Sequence, residues 1–554
     1  MPCDRGAPCN RTSRHLTGKT HYIGQQVARA AERYGSDRVL VTSLTRAAAH
    51  EAAGRGMVVP RQNIGTLHHF GYVALGRPEM AETPEGIKAW NEWLAEKSLD
   101  GGHRLSPPSE GPDLADFTPE RSGDTRLARL NLYRTRMQPR EIWYPEVLGF
   151  SECWERWKLE SNRADFVDLI DLAADEPCPL AARSLFVDEA QDMSALEMRL
   201  VRRWAADADT LTVVGDSDQA IFTWRGADPN IMWQPPIPAE YTRVLGQSHR
   251  VPREVHAAAQ SWVRQMRDRR ADVTYLPRDA DGLARRHPSS YRHPERLIEE
   301  AVMGALAGRT VMILASCSHM LEPTKAHMRR RGIPFSNPYR RRRADWNPLY
   351  APLNRVRTAD RILSFLAPRV PPSAEGATRF WTPGDLWRWA EWLDAERTME
   401  RGGKAALKRA VSEDGAYESS TLLTTDLQQW FTSETLAAAF RGDLQWWRDH
   451  LLETHQRKAD YPLRVLEAFG PQALREEPRI YLSTVHGVKG GEADVVAVFP
   501  DLSEEGDRSY ATTEAGRDAV TRLFYVAMTR SRDELYLCRG SGGPAVSWAA
   551  AALV

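Results

Sequence analysis

The chain alternates between short apolar runs that end in polar or charged residues and longer stretches of helical periodicity. The runs are Arg38–Thr42, Leu185–Asp188, Leu211–Gly215 and Val311–Leu314, then Ile480–Ser483, Val495–Val498 and Leu535–Leu537. Continuous apolar runs of this length suit strands buried on both faces, as in parallel sheets. Tyr22–Tyr34 and Ala195–Ala206 read as helices between such strands. Strand–helix alternation predicts doubly wound α/β domains, whose ligands sit at the carboxyl ends of the strands. Two Trp-rich, helix-like regions, 71–182 and 364–477, break the alternation and read as helical insertions into the α/β domains.

Composition narrows the classes. A chain of 554 residues has room for about four domains. Lys plus Arg and Asp plus Glu both number 74, so any surface for nucleic acid must be local. The six cysteines show no Cys-x-x-Cys spacing, which argues against a zinc or iron–sulfur site and for a reducing compartment. No apolar run reaches the ~18 residues that cross a bilayer, and Met1–Arg5 begins no apolar leader. The expected location is the cytoplasm, with no membrane partner. Most of the 18 tryptophans are expected in cores, with some available to stack on bases.

Phosphoryl transfer from ATP needs a phosphate cradle, a magnesium ligand, a base for water and cations for the transition state. The run Leu185–Val187 leads into Asp188-Glu189-Ala190-Gln191-Asp192. One carboxylate at such a strand end can hold Mg²⁺ while the other orients or deprotonates water. Taken alone, the pair equally suits an acidic helix N-terminus. The next strand ends in Gly215-Asp216-Ser217-Asp218-Gln219-Ala220-Ile221-Phe222-Thr223-Trp224-Arg225-Gly226-Ala227. Together the two segments resemble motifs II and III of UvrD/Rep-type helicases of superfamily one. The resemblance implies that Asp188 binds Mg²⁺, Glu189 activates water and Gln219 senses the γ-phosphate. It also implies that Trp224 stacks on a base of single-stranded DNA, with Arg225 nearby.

Further segments follow in the family's order. Leu245-Gly246-Gln247-Ser248-His249-Arg250 is similar to motif IV, which implies that Arg250 reaches the γ-phosphate. His249 stands where the family usually places a Tyr against adenine. Thr484–Glu492 resembles motif V, implying that Glu492 accepts a hydrogen bond from the ribose while Thr484 and His486 face the DNA backbone. Leu523–Arg530 resembles motif VI, with Arg530 as the implied arginine finger. Val41–Ala49 and Ile64–Phe70 resemble motifs Ia and Ib, which puts Ser43, Thr66 and His68 on the DNA backbone. Phe70 suits either stacking on a base or core packing.

The phosphate cradle departs from the pattern. A P-loop reads G-x-x-x-x-G-K-[ST] between a strand and a helix, and Ser13–Thr20 keeps only its Gly18-Lys19-Thr20 end. Lys19 would neutralise phosphate charge and Thr20 would ligate Mg²⁺. Ser13 and Leu16 replace glycines that would let backbone approach phosphate closely. Two accounts follow: a chain with diminished ATP hydrolysis, or a recorded start that is not the natural one. Two basic clusters, Arg329–Arg331 and Arg340–Arg343, suit either phosphate contacts or solvated loops.

The resemblance implies two RecA-like domains with ATP between them, 1–70 with 183–238 and 239–363 with 478–554, and the insertions 71–182 and 364–477 as helical subdomains. The expected function is an ATP- and Mg²⁺-dependent DNA helicase or translocase. It would move 3′→5′ on single-stranded DNA and act at single-strand/duplex junctions in repair, recombination or replication. Two alternatives stand beside it: an ATPase-deficient DNA-binding scaffold, and the motor subunit of a helicase–nuclease complex with a repair or nuclease partner.

Overall fold

The computed structural model describes residues 19–43, 58–99, 101–107, 121–269, 274–340, 345–350, 356–366, 381–412 and 427–551. Eleven strands are found among the described residues. They are β1 (Val39–Ser43), β2 (Ile64–Gly65), β3 (Glu79–Met80), β4 (Arg163–Ala164), β5 (Ser184–Asp188), β6 (Thr210–Val213), β7 (Leu283–His287), β8 (Val311–Ala315), β9 (Ile480–Thr484), β10 (Ala493–Val498) and β11 (Ser531–Cys538). One sheet has the order β2-β1-β5-β6, another β7-β11-β10-β8-β9, and β3 pairs with β4. The first sheet is parallel throughout, as are the β7–β11 and β10–β11 pairs. The expected α/β class is therefore found. The chain divides into two compact units, residues 1–288 with 314–318 and 484–554, and residues 289–313 with 319–483.

In the first unit, β1 and β5 run in register from Val39–Ser184 to Ser43–Asp188, so Ser43 and Asp188 end together at one sheet edge. The helix Lys19–Tyr34 covers one face through Ile23 and Val27, which join Val39, Val41 and Phe186 in a core. The helix Ala195–Ala205 covers the other. Ser194 and Glu197 form a reciprocal capping box at its start, and Leu196, Leu200, Val201 and Trp204 enter the core with Leu185 and Val187. The helix Glu514–Met528 is buried on every side from Val520 to Met528, Thr521 and Arg522 included.

The insertion in this unit is helical, with helices Pro84–Glu96, Ser122–Thr135 and Pro145–Ser161. Trp90, Trp93, Phe150, Trp154 and Trp157 form one core, with Trp90 edge-on to Trp154 at 5.0 Å. These tryptophans are fillers of an apolar interior.

Beneath them lies a buried ion cluster. The Asp165 carboxylate accepts from Arg134 Nη1 at 2.8 Å, Lys158 Nζ at 2.6 Å and Trp154 Nε1 at 2.9 Å. Asp168 pairs with the same two cations. Burial opposes ionisation of Asp165, yet Arg134 and Lys158 hold its carboxyl well below the usual range. Glu82 meets the opposite fate. Its carboxylate accepts from Phe166 N at 2.8 Å, and burial, reinforced by the Asp165 charge, pushes its pKa up to about 7. A carboxyl raised this way contributes stability below its unfolded pKa of about 4.3 and loses it as pH rises through the folded value. Glu82→Gln is therefore expected to match wild type near pH ~4 and to gain on it progressively towards pH ~8. Urea midpoints across that range would show the gain, and a difference independent of pH would refute it.

The second unit is mostly helical, with Trp389 and Trp447 fully buried beside Phe365 and Phe431. Arg329–Arg331 form the last turn of the helix Glu322–Arg331, where cations suit the helix dipole. Arg340 is buried, with its guanidinium 4.5 Å over the Trp346 ring. It packs in the protein and is not displayed to phosphate. Arg341, Arg342 and Arg343 lie outside the described residues. Among the described residues no helix is long and apolar enough to cross a membrane.

Candidate nucleotide and nucleic-acid sites

The carboxyl ends of β1, β5 and β6 gather the expected phosphate chemistry. Lys19 opens its helix and is 1 % exposed. Its Nζ lies 3.8 Å from Glu189 Oε2 and has no hydrogen-bond partner among the described residues. A buried ammonium with one long ion pair and no hydrogen bond among the described residues is under-satisfied there, and a helix start favours an anion. Gly18 and the Thr20 side chain lie outside what the structure describes.

Asp188 ends β5, and its Oδ1 accepts from Glu189 N at 2.9 Å. Glu189 follows with φ 58° and ψ 36°. Side chains rarely adopt this left-handed geometry, and it persists where the surroundings enforce it. Here they do: Ala190 N donates to Val214 O at 3.0 Å, and Glu189 Oε2 accepts from Gln191 Nε2 at 2.6 Å. Gln191 Oε1 in turn accepts from Asp216 N at 2.9 Å, which ties the β5 end to the β6 end. A Cβ on Gly215 would meet Met232 Cε at 2.5 Å and Gln191 Oε1 at 2.7 Å, so a larger residue there would displace both side chains.

Gln219 is fully buried between two motifs. Its Nε2 donates to Asp216 Oδ2 at 2.8 Å, and its Oε1 accepts from Arg530 Nη2 at 3.0 Å. Arg530 is also buried and is fixed by Val526 O at 2.9 Å. The expected sensor and the expected arginine finger therefore touch each other. Lys489 Nζ pairs with Asp192 and donates to Gln219 O at 2.6 Å. Burial pushes the Asp192 carboxyl up to about 6, against the pull of the Lys489 ammonium.

Arg250 and Glu492 are placed differently from expectation. Arg250 Nε donates to Glu492 Oε2 at 2.6 Å, and Arg532 stands 3.6 Å from the other oxygen of that carboxylate. The residues expected on the γ-phosphate and the ribose are here partners of each other. His249 is exposed, beside a 430 Å³ depression that Gln247, Arg253, Pro277 and Arg278 also line.

The expected DNA contacts separate into two groups. Trp224 is 39 % exposed and stands edge-on to His486 at 6.2 Å, with Phe222 5.9 Å from the same imidazole. Arg225 lies 3.7 Å from Glu197. Thr66 caps the helix Leu67–Ala74, and its hydroxyl accepts from His69 N at 3.2 Å. His68 stands edge-on to the exposed Phe166 at 6.2 Å, and burial lowers its pKa, with Glu197 opposing and Arg225 reinforcing. Ser43, Phe70 and Thr484, by contrast, are buried. Phe70, 2 % exposed, fills the core with Leu40 and Leu185. The Thr484 hydroxyl accepts from Gly487 N at 3.2 Å and shapes its own turn. None of these three offers a surface to a strand.

Sequence reasoning assigned no role to Gln191, Asp216 or Lys489. All three stand inside the quoted motifs, yet their work is to hold neighbouring motifs together, which residue type alone does not announce.

Residues 146–235 match the family model described as UvrD/REP helicase N-terminal domain, and residues 479–538 match that of the UvrD-like helicase C-terminal domain. The first match holds Asp188 to Arg225 and the second Thr484 to Arg530, while Lys19 lies outside both. The putative ATP-dependent DNA helicase YjcD of Bacillus subtilis is 24% identical over 290 residues, 48% of this chain and 37% of that protein. The ATP-dependent DNA helicase PcrA of Leuconostoc citreum is 33% identical over 157 residues, 25% of this chain and 21% of that protein. The chain thus spans well under half the length of the curated relatives it matches. Parallel sheets with helices are consistent with two RecA-like domains, and over residues 146–235 and 479–538 the chain is similar to UvrD/Rep helicases, the N-terminal domain match preceding the C-terminal one.

Proposed function

We propose that the chain is an ATP-driven motor that moves 3′→5′ along single-stranded DNA, acting at single-strand/duplex junctions in the cytoplasm. The observation that carries this reading is the buried Lys19 ammonium, lacking a hydrogen-bond partner among the described residues and facing Glu189 at the edge where Asp188 ends its strand. An anionic phosphate would complete the Lys19 ammonium, and Asp188 and Thr20 would hold Mg²⁺. When bound, Mg²⁺ would neutralise phosphate charge and favour in-line attack.

The chain's own residues divide the remaining work. Lys19 holds phosphate, and Glu189 takes the proton of the attacking water. Arg530 and Gln219, already in contact, meet the charge that develops on the transferred group. Arg250 joins them once it leaves Glu492. Trp224, exposed and edge-on to His486, presents the aromatic surface on which a base of any identity can stack. Asp216 to Trp224 is one continuous segment, so the phosphate sensor and the stacking platform move as neighbours.

The test is ATP hydrolysis by the purified chain with and without a single-stranded oligonucleotide, beside Lys19→Ala. Stimulation by the strand, falling by roughly 10²-fold or more in the variant, is the expected result. No hydrolysis with strand binding retained would overturn the motor and leave an ATPase-deficient DNA-binding scaffold.

A further inference from the structure

Three consecutive residues of the turn after β6 are each gripped by a different arginine. Ser217 O accepts from Arg522 Nε at 3.1 Å, Asp218 Oδ2 from Arg269 Nε at 3.0 Å, and Gln219 Oε1 from Arg530 Nη2 at 3.0 Å. Arg522 and Arg530 belong to the helix Glu514–Met528 and the residues just after it. Arg269 comes from elsewhere, the loop that follows the helix Arg253–Val263. No motif quoted above contains it.

That loop is itself fastened to the helix Glu514–Met528. Arg267 N and Asp268 N donate to the two oxygens of Asp518 at 3.2 and 2.9 Å, and Arg522 Nη2 donates to Asp268 O at 2.8 Å. Arg269 Nη2 reaches Gln260 Oε1 at 3.2 Å, and Trp262 Nε1 donates to Thr521 O at 3.0 Å. Arg269 is thus held at its root and along its fork, and its planar guanidinium has one geometry in which to meet Asp218. Asp218 is 1 % exposed, and a carboxylate so buried depends on its cation.

We propose that Arg269 is a positioning residue that makes the turn Ser217–Gln219 follow the helix bearing Arg530, and so couples the phosphate site to the strand-stacking Trp224. The inference rests on the motor reading above and deepens it. Arg530 holds the Gln219 side chain and Arg522 the Ser217 carbonyl, and Arg269 adds a grip on the Asp218 carboxylate between them. A displacement of the arginine-bearing helix then carries the whole turn, and Trp224 five residues on from Gln219 goes with it. Arg269 touches neither phosphate nor strand, so its removal acts on coupling and leaves nucleotide binding alone.

The experiment compares wild type, Arg269→Ala, Asp218→Asn and the double variant for ATP turnover against oligonucleotide concentration, with tryptophan fluorescence on nucleotide addition as a second readout. The expected result is a fall of about tenfold in strand-stimulated kcat with KM for ATP within about twofold. The nucleotide-induced fluorescence change should be lost, and Arg269→Ala should add nothing once Asp218 is Asn. Arg269→Lys keeps a cation at Asp218 while surrendering the fork to Gln260, and should recover part of kcat. It also serves if the alanine variant folds poorly. Full stimulation in Arg269→Ala, or additive losses in the double variant, would overturn the inference and leave the motor intact. Absence of stimulation in wild type would overturn both.

Discussion

Glu189→Gln is expected to lower strand-stimulated ATP turnover by about 10²–10⁴-fold, the range that a positioned general base contributes. The carboxylate is buried, lies 3.8 Å from the Lys19 ammonium and is aimed by the Gln191 amide at 2.6 Å. Its backbone sits in the left-handed region, which turns the side chain away from the path of β5 and towards Lys19. Glutamine has the same shape and keeps the packing, but its amide cannot accept the proton of an attacking water. ATP affinity should persist, because removing a negative charge beside Lys19 leaves that ammonium freer for phosphate. Steady-state turnover paired with equilibrium nucleotide binding separates the two quantities. A variant that retains turnover within about fivefold of wild type would remove Glu189 from the role of base.

Lys158→Met should cost about 3–5 kcal/mol of stability in the first unit, the range for removing one partner of a buried ion pair. Lys158 serves both Asp165 and Asp168, and Asp165 has no solvent to turn to. Arg134 would remain, but one guanidinium cannot neutralise two buried carboxylates. The sign with pH follows from Asp165. A carboxyl held below its usual range contributes stability above its unfolded pKa and loses it as pH falls through the folded value. The deficit of the variant should therefore be full at neutral pH and shrink in acid. Denaturant unfolding followed by tryptophan fluorescence includes the insertion, since Trp154 is bonded to Asp165. Glu79→Gln is the comparison: its pair with Arg163 is solvent-exposed on the carboxylate side, and its loss should cost no more than about 1 kcal/mol. Equal effects from the two substitutions would show that the buried cluster carries no special weight.

Much of the fold was legible because parallel strands buried on both faces leave continuous apolar runs. Val39–Ser43, Ser184–Asp188 and Ala493–Val498 each fall on such a run. Strand β7 was not legible. Leu283-Ala284-Arg285-Arg286-His287 has no apolar run because it lies at the edge of its sheet, and two of its five residues are buried. The described parts of 71–182 and 364–477 are mainly helical, but whether a tryptophan faces a core or a base depends on helix packing that local pattern does not encode. Trp90, Trp154, Trp389 and Trp447 are interior, whereas Trp224 is open. The candidate site divides the same way. Type, spacing and the resemblance singled out Asp188, Glu189 and Lys19, and the structure brings Lys19 within 3.8 Å of Glu189. The bond between Arg250 and Glu492 joins residues 242 apart, and Arg269 stands in no motif, so only the folded chain reveals what either does.

The Arg250–Glu492 bond has a consequence for selectivity. In its proposed role Arg250 is claimed by nucleotide, yet it already holds an anion tethered to the same chain and therefore present at high effective concentration. Any ligand that takes Arg250 must evict this resident. A singly charged ion from solution brings no more charge than the carboxylate and lacks its tether, so it loses the exchange. A triphosphate brings several charges and contacts elsewhere that the carboxylate cannot match, while Arg532 remains beside Glu492 to receive it when it is displaced. On the proposed reading the pair would act as a threshold, a built-in rival that rejects simple anions and yields to the nucleotide.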